Sequence, residues 1–133
     1  MSYLGIKIAI IAGARPNFMK VAPLCRELER QKMGYTLINT GQHFSLFMAQ
    51  AFLREFKLKP NYTISPSRRT VTQQMTDIKN GLKKIFTKER PSLVIVVGDV
   101  NSTLAGAQAA KAANIPLAHI EAGLRSFNSK MPE

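Results

Sequence analysis

Leu93-Val94-Ile95-Val96-Val97-Gly98-Asp99-Val100-Asn101-Ser102-Thr103 is the stretch that decides the fold. Its first five residues are all apolar and β-prone, with no polar alternation. That is the pattern of a strand covered on both faces, and so of a parallel sheet. Gly98-Asp99 ends the run, and Asn101 is expected to cap a helix over residues 102–113. That helix is rich in alanine and can pack close to the sheet. A strand that runs into a charged turn and then a helix is part of a βαβ unit, and in such sheets ligands sit at the carboxyl ends of the strands. The pattern returns downstream, where residues 116–120 form a short apolar run ending in a loop with Glu121, Gly123 and Arg125. Three carboxylates, Asp99, Glu121 and Glu133, and one cation, Arg125, are therefore expected to converge on a single cleft.

Upstream, residues 6–12 form another near-continuous apolar run, broken by Gly13. Pro16-Asn17 opens a helix with Val21, Leu24, Cys25 and Leu28 on one face. Pro23 lies inside that pattern and predicts a late start or a kink. Gly34 is expected to end the helix, residues 35–40 to form a second strand, and Gly41-Gln42-His43 to turn out of it. Phe44, Phe47, Met48, Ala51, Phe52 and Phe56 then recur at helical spacing. Residues 57–69 are basic, contain Pro60 and Pro66, and read as a loop with at most a short strand near 62–64. Thr70 and Gln73 are spaced as a capping box. Val71, Met75, Ile78, Leu82 and Ile85 then mark an amphipathic helix, which Pro91 separates from the strand at 93–97. Strands alternating with helices predict an α/β fold with a doubly wound, Rossmann-like parallel sheet. Gly13-Ala14-Arg15 is not a G-x-G-x-x-G fingerprint, so nothing supports a nicotinamide cofactor.

The 133 residues suit one domain, 1–133, with a sizeable core, and the hydrophobic fraction of 45% is ordinary. No run approaches the roughly 18 apolar residues of a membrane span. The short apolar run near the N-terminus reads as a strand rather than a leader. Cys25, the single cysteine, cannot form an internal disulfide; a reducing cytoplasm is the expected setting and a core position the expected role. His43 and His119 lie far apart in sequence and have no ligand cluster with metal spacing, so no metal or cofactor is expected. The net charge is +11, and 16 of the 19 Lys and Arg precede residue 99. Such a surface fits an anionic small molecule, nucleic acid, or a basic face that meets an acidic partner. The cations are scattered without interleaved aromatics, which disfavours nucleic acid.

Four motifs in order carry a family resemblance. They are Gly13-Ala14-Arg15-Pro16-Asn17-Phe18-Met19-Lys20 followed by Val21-Ala22-Pro23-Leu24, then Thr40-Gly41-Gln42-His43, then GDVNST at 98–103, then HIEAGLRS at 119–126 with the terminal Met131-Pro132-Glu133. Together they resemble the non-hydrolysing UDP-N-acetylglucosamine 2-epimerases over nearly the whole chain. The resemblance implies the N-terminal half of a GT-B-type two-domain architecture, with a C-terminal UDP-binding domain absent from this chain and the fragment inactive without it. It implies interconversion of UDP-GlcNAc and UDP-ManNAc by elimination and re-addition of UDP, without a cofactor, in cell-surface polysaccharide biosynthesis. On the matching positions it implies Asp99, Glu121, Glu133 and Lys20 as catalytic residues, and Arg15 and Arg125 as contacts to the substrate. Gln42, His43 and Arg68 match an allosteric site for a second substrate molecule, although Ser45 and Arg69 stand where the family usually has glutamine. Structural alternatives stay open: an Asx turn or a helix-capping acid for Asp99, a partner of Arg125 for Glu121, surface charge for Lys20, a turn residue for His43. At the level of function the alternatives are a non-catalytic binding module from a truncated or split gene, and another GT-B nucleotide-sugar enzyme. Self-association is expected from the apolar and basic surface that an isolated half would expose.

Overall fold

The computed structural model describes residues 5–41, 50–51, 54–66, 70–123 and 126–130. Its elements are β1 (Ile8–Ala12), α1 (Arg15–Arg30), β2 (Tyr35–Asn39), β3 (Tyr62–Thr63), α2 (Val71–Glu89), β4 (Leu93–Val97), α3 (Asn101–Ala112) and β5 (Leu117–Ile120). The strands form one parallel sheet in the order β3-β2-β1-β4-β5. The chain builds outward from β1 to β3, then returns to place β4 on the other side of β1. The order therefore reverses between β1 and β4, and that is where a doubly wound sheet opens a crevice at its carboxyl edge.

The alternation of side chains along the strands sorts the core into two layers. Ile8, Ile10 and Ala12 of β1, with Ile95 and Val97 of β4, pack against Phe18, Val21, Cys25 and Leu28 of α1. Ala9 and Ile11, with Val94 and Val96, pack against Ile78, Leu82 and Ile85 of α2 and Ala105 and Ala109 of α3. Both faces of the central strands are thus covered, as their unbroken apolar sequence predicts. Burying each large aliphatic or aromatic side chain is worth about 2 kcal/mol, so these two layers outweigh any capping term.

Several local expectations need correction. Helix α1 does not start late: it begins at Arg15 and continues through Pro23. Pro23 and Met19 lie on the solvent face, so water can satisfy the Met19 carbonyl that the proline leaves without a helical donor. Gly34 does not end the helix. Lys32 does, at φ 57°, with Met33 N–H donating to the Leu28 carbonyl and Lys32 N–H to that of Glu29 in a Schellman closure. Asn101 is the first residue of α3 rather than its cap; Val100 holds that position without a side-chain hydrogen bond. Thr70 caps α2 by accepting from the Gln73 N–H at 3.0 Å, as its spacing implies. Val71 is nevertheless solvent-exposed, and the buried stripe of α2 begins at Ile78. Gln50, Ala51, Arg54 and Glu55 are helical, while most of the aromatic residues expected on that helix lie outside the described residues.

Cys25 sits in the α1 layer at 1% exposure, and burial raises its thiol above the ordinary range. The folded state holds this proton more tightly than the unfolded chain. The resulting stabilisation is complete below the unfolded pKa and fades as pH rises through the folded one. At pH 8 the native thiol should react with an aromatic disulfide reagent on the order of 100-fold or more slowly than in denaturant. Equal rates in the two conditions would contradict a core role for Cys25.

Candidate functional site at the strand ends

The buried polar side chains of the described residues are Asn17, Asn39, Thr40, Ser102 and Thr103. All five lie at the carboxyl edge of the sheet or in the first turn of a helix that leaves it. Buried polar groups are costly unless bonded, and these are bonded to one another and to the backbone. Thr40 Oγ1 and Ser102 Oγ are 2.8 Å apart beneath Gly13. Asn39 Oδ1 accepts from the Gly41 N–H at 2.9 Å. Thr103 Oγ1 donates to the Val97 carbonyl at 2.8 Å. Gly13 is required by close approach: a Cβ there would lie 2.0 Å from Ser102 Oγ and 2.1 Å from Thr40 Oγ1. This polar layer forms the floor on which the crevice stands.

Asn17 closes the start of α1 from inside the helix. Its Oδ1 accepts from the N–H groups of Gly13 and Ala14, both at 3.1 Å, because Ala14 at the cap position has no side-chain oxygen to offer. The amide orientation follows from those two donors. The consequence is chemical: two of the turn amides that a phosphate could use are already taken, and Pro16 has none. The helix N-terminus itself is thereby a poorer site for an anion. Anion recognition at this end passes to the side chains of Arg15 and Lys20, both exposed.

Lys20 does not point into open solvent. Its ammonium pairs with the carboxylate of Glu121, with side-chain exposures of 41% and 35%. Glu121 follows β5 and stands in the left-handed region at φ 62°, where a non-glycine residue pays about 1–2 kcal/mol. Gly123 follows at φ 86° and turns the chain without steric cost. Strain like that of Glu121 at a strand end is frequent where a side chain is held for chemistry. Asp99 is exposed beside it: β4 and β5 pair in register through Val97 and Ile120, and the Gly98 N–H donates to the Ile120 carbonyl at 3.0 Å. The two strand-end carboxylates thus leave adjacent strands at one edge, and Lys20 reaches Glu121 from α1. Asp99 and Glu121 stand at one sheet edge, and among the described residues the cation paired with Glu121 is Lys20, where the sequence pointed to Arg125; Arg15 starts the same helix as Lys20. Arg125, Glu133, Gln42, His43 and Arg68 lie outside the described residues.

Sequence reasoning missed three features: the inward role of Asn17, the hydroxyl floor, and His119. The His119 imidazole Nε2 lies 2.6 Å from the Gly98 carbonyl, so that nitrogen carries the hydrogen. The available signal was modest: polar residues placed directly after buried apolar strands.

A second concavity, about 830 Å³, opens between α2 and α3 and is lined by Lys79, Lys83, Phe86, Arg90, Gln108 and Ala112 among others. Its walls include Pro91 and Ile115, which precede β4 and β5, so it lies toward the opposite end of the sheet. Among the described residues no carboxylate lines it.

The family described as UDP-N-acetylglucosamine 2-epimerase matches residues 26–133. The UDP-N-acetylglucosamine 2-epimerase of Methanocaldococcus jannaschii is 40% identical over 129 residues, covering 96% of this chain and 35% of that protein. The UDP-2,3-diacetamido-2,3-dideoxy-D-glucuronate 2-epimerase of Pseudomonas aeruginosa is 42% identical over 130 residues, covering 96% of this chain and 37% of that protein. A crystal structure of the M. jannaschii enzyme with UDP-GlcNAc and UDP superposes with a TM-score of 0.89 at 40% identity, over 96% of this chain and 36% of that one. The chain spans about a third of the length of the curated relatives it matches.

Proposed function

Since this chain belongs to the UDP-N-acetylglucosamine 2-epimerase family, we propose that its strand-end crevice is part of an active site that inverts C2 of a UDP-activated 2-acetamido sugar, with UDP-GlcNAc and UDP-ManNAc as the interconverted pair. The observation that carries this reading is the meeting of Lys20 with Glu121 beside Asp99 at the carboxyl edge of the sheet. Fold alone would not assign the activity, but a cation and two carboxylates brought together from three elements supply what the chemistry asks for.

The reaction removes the C2 proton and breaks the bond between C1 and the diphosphate oxygen, giving a 2-acetamidoglucal and UDP. A proton then reaches C2 on the opposite face while the diphosphate oxygen re-forms its bond to C1. One group must accept a proton from carbon and another must deliver one to the far face. Asp99 and Glu121 are assigned these acid and base roles, with Glu133 as the third carboxylate. Lys20, with Arg15 and Arg125, holds the departing diphosphate. The Lys20–Glu121 pair is partly exposed, and such pairs are worth about 0–1 kcal/mol, so a diphosphate can displace the carboxylate at small cost.

In this reading residues 1–133 form the N-terminal domain of a two-domain enzyme, and the remaining UDP contacts come from a C-terminal domain. The working molecule is a homo-oligomer in the cytoplasm, and Gln42, His43 and Arg68 are assigned to a regulatory substrate site. Among the described residues no helix is long and apolar enough to cross a membrane.

The test grafts this chain in place of the matching segment of the M. jannaschii relative and supplies UDP-GlcNAc in deuterated buffer. UDP-ManNAc carrying deuterium at C2 is the expected product. A folded graft that binds UDP-GlcNAc without exchanging its C2 proton contradicts the reading. Exchange confined to the 2,3-diacetamido uronate sugar would transfer the assignment to that substrate, on which the P. aeruginosa relative is named to act.

A further inference from the structure

Two consecutive carbonyls at the end of β4 are held by side chains from three different elements. Asn17 Nδ2 of α1 donates to the Val97 oxygen at 3.4 Å, Thr103 Oγ1 of α3 to the same oxygen at 2.8 Å, and His119 Nε2 of β5 lies 2.6 Å from the Gly98 oxygen. We propose that these side chains form a three-donor clamp on the Val97-Gly98-Asp99 turn, and that Asn17 is the positioning residue that registers helix α1, with Arg15 and Lys20, against Asp99.

A buried carbonyl at a strand end needs donors, and an exposed turn normally takes them from water. Here they come from side chains, two of them buried, and each donor belongs to an element that carries a different part of the crevice. Asn17 is 3% exposed and uses both ends of its amide: Oδ1 on the Gly13 and Ala14 N–H groups, Nδ2 on Val97. It therefore ties the end of β1 to the end of β4 across the point where strand order reverses. Gly98 completes the fit. Its φ is 75°, and a Cβ there would approach Asn17 Nδ2 to 3.2 Å. A side chain at 98 would meet the clamp and strain the turn together.

The clamp has a functional meaning that stability alone does not give it. Lys20 lies one turn beyond Asn17, and Asp99 directly follows the clamped carbonyls. Any change that frees Asn17 from Val97 lets the cation and the carboxylate drift relative to each other, and displacements near 1 Å can cost about 100-fold in rate.

The discriminating variant is Asn17→Asp. It keeps an acceptor for Gly13 and Ala14, removes the donor to Val97, and faces a carboxylate oxygen toward that carbonyl. In the 133-residue chain without ligand, the Gly13 and Ala14 amides should keep their slow exchange while the Gly98 and Asp99 resonances shift. Ile78→Val, in the opposite layer, lowers stability and should leave those resonances in place. In the grafted enzyme Asn17→Asp should lower kcat by about 10-fold or more with KM changed less than about threefold, as expected when orientation rather than binding is lost. Unmoved Gly98 and Asp99 resonances with unchanged kcat would overturn the clamp. Should Asn17→Asp fail to fold, the wild-type chain decides: through-bond coupling between Asn17 Nδ2 and the Val97 carbonyl carbon supports the clamp, and a freely exchanging Asn17 side-chain amide overturns it. The kcat comparison rests on the proposed function and the resonance comparison does not. A wild-type graft without turnover would therefore count against the function and leave the clamp to the ligand-free spectra.

Discussion

Asp99→Asn in the grafted enzyme is expected to lower kcat by about 1,000-fold, near the upper part of the range for losing a general acid or base. The substitution keeps the size of the side chain and its hydrogen-bonding capacity and removes only the proton-accepting carboxylate. Asp99 is exposed, and the turn that carries it is held through the Val97 and Gly98 carbonyls rather than through the Asp99 side chain. Stability should therefore change by less than about 0.5 kcal/mol, the usual range for surface substitutions. Steady-state kinetics with a parallel thermal melt checks both parts. A loss of activity accompanied by a matching loss of fold would assign Asp99 a structural role instead.

Gly13→Ala carries the largest expected effect on stability. The added Cβ would sit 2.0 Å from Ser102 Oγ, 2.1 Å from Thr40 Oγ1 and 2.8 Å from Ser102 Cβ. The backbone of Gly13 is fixed by its N–H bond to Asn17, so relief must come from parting two buried hydroxyls that now bond each other at 2.8 Å. Overpacking of this kind costs about 1–3 kcal/mol. Parting the buried Thr40 hydroxyl from Ser102 adds roughly 1–3 kcal/mol. A total near 4 kcal/mol is a large share of the roughly 5–15 kcal/mol that holds a domain together. Urea titration of the 133-residue chain should show it as a lower midpoint with an unchanged slope. A midpoint equal to that of the wild type would mean that the floor beneath Gly13 is looser than described.

The sheet was legible because its signal is strong and local. Ile8–Ala12 and Leu93–Val97 are unbroken apolar runs, and in the structure their alternate residues enter two separate core layers. Periodicity located α2 but put Val71 on its buried stripe, whereas Val71 is exposed and burial begins at Ile78, because spacing alone does not show where along a helix its packing partner starts. The helix ends were misread for a related reason. Gly34 was the obvious stop, yet Lys32 adopts the left-handed conformation, since the Schellman hydrogen bonds compensate for the missing glycine. Strand-end carboxylates could be named from the sequence because their position after apolar runs is visible there. The pairing of Lys20 with Glu121 could not, because it depends on the reversal of strand order that brings β1 and β4 together. Asn17 was hidden for the same reason: its partner Val97 is 80 positions away.

The central claim is that chemistry belongs to the strand-end crevice. It is tested most directly by titrating UDP-GlcNAc into the grafted enzyme while observing the Lys20 side-chain ammonium and the backbone amides of Gly98, Asp99 and Glu121 by NMR. The Lys20 ammonium resonance is expected to move as its bond to Glu121 gives way to the diphosphate, with shifts at Gly98 and Asp99 in the same concentration range. Shifts confined to Lys79, Lys83 and Arg90 in the groove between α2 and α3, with Lys20 still paired to Glu121, would contradict it.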